Sequence, residues 1–82
     1  MLMKCRVEMD GPGPSEKIVV VETIGGTMEL IVDEDCVSSG DLLRVEAVFR
    51  KNGSTLVELP RESTSGQTRV WVRTAEIHEG AR

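Results

Sequence analysis

Several stretches of the chain carry residue types that could do chemistry. Metal ligation would use Asp33, Glu34, Asp35, Cys36 and Asp41, because carboxylates at alternating positions ligate calcium. Gly40 is out of place for a calcium loop, however, and no glutamate closes one. The run is expected to be a solvated acidic turn, with no metal and no cofactor. His78 is the one histidine, and with two cysteines it gives too few nitrogen and sulfur ligands for zinc. For nucleophilic catalysis, Cys36 stands among three acids, which disfavour the reactive thiolate. Ser38, Ser39, Ser63 and Ser65 have no base in reach of the pattern except His78. A phosphate loop is not offered by "GPGPS" (11–15), whose prolines stand where backbone N–H donors are needed. No triad or acid–base pair emerges, and a non-enzymatic protein is expected.

Recognition remains. The segment "TRVWVRTAEI" (68–77) holds the only tryptophan. On a strand Arg69, Trp71 and Arg73 share one face, and Val70 and Val72 share the other. Trp and Arg are the types most enriched among interface anchors. The leading expectation is therefore a contact surface for a protein partner or a second copy (a homodimer). Trp71 would be its anchor, Arg69 and Arg73 would supply charge, and Arg61 and Glu62 in the preceding loop would form the rim. Ile31, Val48 and Leu56 also fall off the inward pattern and would enlarge an apolar patch if they converged on Trp71. The plain alternative is a second buried layer covered by the N-terminal strand.

The other recognition reading is nucleic acid. Trp71 would stack on a base, with phosphate contacts from Arg69, Arg73, Arg44, Arg50 and Lys51. Against it stand the two aromatics in the whole chain and a net charge of −4. The charge is uneven: residues 1–41 hold nine acidic and three basic residues, residues 42–82 five acidic and seven basic. A local basic face is thus confined to the second half.

The elements that must position these residues are short strands. "MKCRVEM" (3–9) alternates, with Met3, Cys5, Val7 and Met9 on one side. "DGPGPSE" stops it with two prolines and two glycines. "KIVVVETI" (17–24) is β-branched on both faces, and Gly25-Gly26 turns it into "TMELIVD" (27–33), where Met28, Leu30 and Val32 share a face. A polar loop follows at 34–41, with one helical turn at Asp35 to Val37. "LLRVEAVFRK" (42–51) puts Leu43, Val45, Ala47 and Phe49 inward. Asn52-Gly53 is the strongest hairpin signal in the chain, returning "TLVEL" (55–59) before Pro60 ends pairing. A loop leads to the last strand, "TRVWVRT" (68–74), then a tight turn at "AEIH" and a frayed tail, 79–82. No internal repeat is visible.

Eighty-two residues make one small domain, with a core that must be aliphatic. No apolar run approaches the ~20 residues of a membrane helix, and the first residues lack an apolar signal region. A cytoplasmic location with Cys5 and Cys36 reduced is expected, so the "NGS" at Asn52 is not read as a glycosylation site.

About six antiparallel strands without a long helix predict an all-β sandwich or barrel, and at this length a small barrel is economical because it removes exposed edges. From the hairpin "FRKNGSTLVEL" to "RVWVRTAEI", residues 42–77, the order of elements resembles the Src-homology-3-like (SH3-like) small barrels: a tight distal hairpin, then a last strand reached through a short helical turn. The resemblance implies that fold alone; a small interaction module of bacterial style is the leading expectation from the Trp71 strand. The resemblance carries over no ligand residue, since the clustered tyrosines and tryptophans of a proline-rich peptide groove are missing here. The rival, a five-stranded oligonucleotide-binding barrel, has a helix between strands three and four for which "EDCVSSGD" is too short.

Overall fold

The computed structural model describes residues 1–78; the tail expected to fray, 79–82, lies outside the described residues. Ten strand segments run in chain order: β1 (Leu2–Lys4), β2 (Arg6–Asp10), β3 (Glu16–Thr23), β4 (Gly26–Asp33), β5 (Val37–Ser38), β6 (Leu42–Arg44), β7 (Glu46–Lys51), β8 (Ser54–Glu58), β9 (Arg69–Arg73) and β10 (Ile77–His78). Short 3-10 turns, Glu34–Cys36 and Thr74–Glu76, lead into β5 and β10. All pairing is antiparallel, in three sheets ordered β10-β1-β6-β5, β2-β3-β4 and β7-β8-β9, with no closed barrel. Among the described residues no helix is long and apolar enough to cross a membrane.

The expected strand at 3–9 is divided at Cys5 between two sheets, and that at 42–51 is divided at Val45 in the same way. The two breaks are tied together: the Cys5 N–H donates to the Asp41 carbonyl (3.1 Å), and the Val45 N–H donates to the Met1 carbonyl (2.9 Å).

This reciprocity extends through the molecule, and it overturns the expectation of no repeat. β1 to β5 with the first 3-10 turn reappear as β6 to β10 with the second. Met3 faces Leu43 across the central pair of strands, while Leu2↔Arg44 and Lys4↔Leu42 are one contact seen from either half. Ile18 lies between Met9 and Ile31; Leu56 lies between Phe49 and Trp71. The 3-10 turns are anchored alike, Glu34 N–H to the Ser15 carbonyl and Thr74 N–H to the Gly53 carbonyl. The offset is 40 at the ends (Leu30 to Val70) and 38 in the middle strand (Val19 to Val57), because one loop is longer in the first half and another in the second. The chain is a two-fold pseudosymmetric pair of halves.

The core is assembled from equivalent positions. Met3 and Leu43, Val19 and Val57, Val21 and Leu59, Leu30 and Val70, and Val32 and Val72 form one buried cluster. Each side chain so enclosed contributes about 1.5–3 kcal/mol of transfer free energy. The one large departure is Thr55, fully buried, whose hydroxyl is satisfied by that of Thr74 at 2.8 Å.

Three inward expectations are corrected: Ala47 lies opposite the buried Val57 but is itself exposed on the outer strand β7, and Met9 and Phe49 face outward. Met9 is 61% exposed and Phe49 57% exposed. A β-bulge lies before each: the register shifts between Val7 and Met9, and again between Ala47 and Phe49. The extra residue, Glu8 or Val48, turns the next side chain to the other face.

Candidate interaction surface

The outer face of β7-β8-β9 is built by alternation. Val57, Val70 and Val72 point into the core, so Leu56 and Trp71 point out, and the bulge at Val48 adds Phe49 to them. The ladder sets Phe49, Leu56 and Trp71 side by side across three strands. The Phe49 and Trp71 rings meet edge to face, with centroids 6.2 Å apart and planes at 86°. Such a pair gains about 0.5–1.5 kcal/mol beyond area burial, so each ring holds the other in place. Trp71 remains 36% exposed. The only two aromatics in the chain therefore stand together on a surface.

Arg69 and Arg73 flank Trp71 on β9 as the alternation required. Arg69 donates from Nε and Nη2 to one oxygen of Glu58, at 3.3 and 3.2 Å. An exposed pair of this kind is worth at most about 1 kcal/mol, so it can be exchanged for another acid without large cost. Arg73 and Lys51 enter no ion pair among the described residues.

Beside the row lies an open groove of about 780 Å³, where the β3–β4 turn meets β9. Ile24, Met28, Lys51, Gln67, Arg69 and Trp71 contribute to its walls. The Ile24 N–H donates to the Trp71 carbonyl at 2.8 Å, which covers part of the β9 edge and fixes the groove's floor. Thr64 N–H makes a similar contact to the Glu29 carbonyl on β4 (2.9 Å).

Other sequence-derived positions are distributed differently. Arg61 reaches the first half, with Nη1 to Glu16 at 3.2 Å and Nη2 to Asp33 at 3.4 Å. Glu62 is exposed on the same loop. Arg44 lies on β6, opposite Leu2 in the four-stranded sheet, and Arg50 lies opposite Thr55. Of the basic residues weighed for nucleic acid, Lys51 and Arg69 border the groove. Of the off-pattern apolar residues, Leu56 is paired with Trp71 and Val48 is the exposed bulge residue, but Ile31 belongs to β4 in the other half.

Sequence reading missed Phe49. Its signal was there: Ala47-Val48-Phe49 are three apolar residues in succession, which a strictly alternating strand does not need. It also missed the equivalent row Met9, Ile18 and Ile31 on the outer face of β2-β3-β4.

Among the described residues no group of three or more His, Cys, Asp or Glu could hold a metal ion. Both cysteines are free and partly buried. Burial pushes the Cys5 thiol up to about 11, and the Asp41 charge adds to the shift.

No family, no curated protein and no solved structure matches the chain.

Proposed function

We propose that the chain is a non-enzymatic interaction module whose contact surface is the outer face of β7-β8-β9. The observation that carries this reading is the outward cross-strand row Phe49, Leu56 and Trp71, in which the exposed Phe49 and Trp71 rings meet edge to face beside a half-buried Leu56. The edge-to-face pair leaves both aromatics exposed to water, whereas a partner that desolvates them gains a hot spot. Arg69 and Arg73 supply the charge around Trp71. Arg61 and Glu62 complete the rim only for a partner large enough to reach across to the first half.

A second reading, single-stranded nucleic acid, is favoured by one observation: Lys51, Arg69 and Trp71 border a single groove. Stacking on Trp71 with phosphates on Lys51 and Arg69 would give binding that weakens steeply with salt. The apolar contact would not. As an architecture, the SH3-like barrel keeps the support of the 3-10 turn before β10, while the pseudosymmetric halves favour a duplicated unit instead.

The test is a photo-crosslink. Benzoylphenylalanine placed at Phe49, and at Arg44 as a control in the four-stranded sheet, is activated in cells that express the chain. An adduct from position 49 and none from position 44 is expected, and its mass identifies the partner as protein, nucleic acid or self. Equal yields from both positions, or no adduct from either, would overturn the reading.

A further inference from the structure

The two halves present the same apolar row with opposite charge. On β4, Glu29 and Asp33 flank Ile31; at the equivalent positions on β9, Arg69 and Arg73 flank Trp71. The rows Met9–Ile18–Ile31 and Phe49–Leu56–Trp71 correspond strand for strand, and both follow from equivalent bulges. The side chains behind both sheets belong to one common core, so each row looks away from it.

We propose that the partner of the Trp71 face is a second copy of this chain, which docks its acid-flanked row on the arginine-flanked row of its neighbour. The inference rests on the reading of the Trp71 face as a contact surface. Burial of the two apolar rows supplies the attraction. The charges set direction, because either row against its own kind would oppose acid with acid or arginine with arginine. Two of the four charged groups are engaged within the molecule, Asp33 with Arg61 and Arg69 with Glu58, through exposed pairs that a neighbour can replace. The contact is heterologous: each copy in a pair keeps one row unfilled, acidic on one copy and arginine-flanked on the other. Association therefore propagates into a row of copies, or closes into a ring if the rotation permits.

Sedimentation velocity of the full chain, from micromolar to millimolar concentration, tests this. The sedimentation coefficient is expected to rise with concentration. Reversing one row, with Arg69→Glu and Arg73→Glu together, leaves two acidic rows and a monomer. Reversing the other, with Glu29→Arg and Asp33→Arg together, leaves two basic rows and again a monomer. Mixing the two variants restores complementarity and association, and Arg69→Lys with Arg73→Lys retains it. Circular dichroism identical to that of the natural chain establishes that the variants fold. A natural chain that stays monomeric at millimolar concentration, or variants that ignore each other when mixed, would overturn the proposal. If position 49 then still crosslinks to a protein of another mass, self-association falls and the Trp71 surface stands. If it crosslinks to nothing, both fall.

Discussion

At the scale of single residues, Cys5 shows how position sets reactivity. It sits at the break between β1 and β2, packed against the core, with its N–H on the Asp41 carbonyl. Burial first, and the Asp41 charge second, hold its thiol protonated up to about 11. The unfolded thiol titrates at its ordinary value of 9.0. Between those values the unfolded chain has shed the proton and the folded chain has not, so folding is increasingly disfavoured as pH rises. We expect the urea midpoint of a Cys36→Ser chain to be level from neutral pH to about 9 and to fall from there toward pH 11. Adding Cys5→Ser should remove that component of the alkaline loss. Identical alkaline profiles with and without the thiol would contradict the burial argument. Phe49 makes the complementary point about what a sequence discloses. Its neighbours alternate well enough to place Leu43 and Val45 in the core, and both are buried. One extra residue at Val48 reverses Phe49; the apolar run 47–49 hints at an irregularity, but where the register shifts is set by long-range pairing with β8.

At the scale of elements, the Asn52-Gly53 hairpin was the most legible feature, while the β3–β4 turn falls on Ile24-Gly25, one residue before the expected Gly25-Gly26. Asn52 and Gly53 adopt φ of 48° and 82°, the left-handed pair that a two-residue primed turn demands. Met28, Leu30 and Val32 share an inward face as their spacing predicts. The first 3-10 turn falls one residue before its expected place; the second, Thr74–Glu76, starts one residue before "AEIH", whose Ile77 and His78 form β10 instead. The repeat was illegible because the halves share a pattern of burial rather than residues: Ile31 answers to Trp71 and Asp33 to Arg73. Chain proximity puts Arg61 beside the Trp71 strand, yet tertiary packing carries it to Glu16 and Asp33. Pseudosymmetry has its own consequence. β5 meets β6 through Val37↔Leu43 and Ser38↔Leu42, and β10 meets β1 through Ile77↔Met3 and His78↔Leu2 in the same register. The link between Ser38 and Leu42 therefore spans a gap equivalent to that between His78 and Leu2. A circular permutant that starts at Gly40 and joins Arg82 to Met1 is expected to fold cooperatively, with the far-ultraviolet spectrum of the natural chain. A permutant that fails to fold would contradict the equivalence of the two halves.

At the scale of the whole molecule, the charge imbalance between the halves acquires a geometry. The excess of acid in residues 1–41 and of base in 42–82 is carried in part by the outward strands β4 and β9, on either side of matched apolar rows. Composition alone gave the imbalance, but only the paired bulges and registers put the two rows in equivalent places. The nucleic-acid alternative needs the basic residues together, and they are divided: Lys51 and Arg69 at the groove, Arg44 in the four-stranded sheet. The apolar row needs no such gathering, because the ladder already assembles it. Trp71 reports on that row directly, as the chain's single tryptophan. Acrylamide quenching of its emission, followed from dilute to concentrated protein, is decisive for the surface. Ready quenching is expected in dilute solution, from the 36% exposure of the ring, with progressive protection and a blue shift as concentration rises. A Trp71 that is blue-shifted and protected even in the most dilute sample, where the chain is monomeric, would make it a core residue and remove the contact surface.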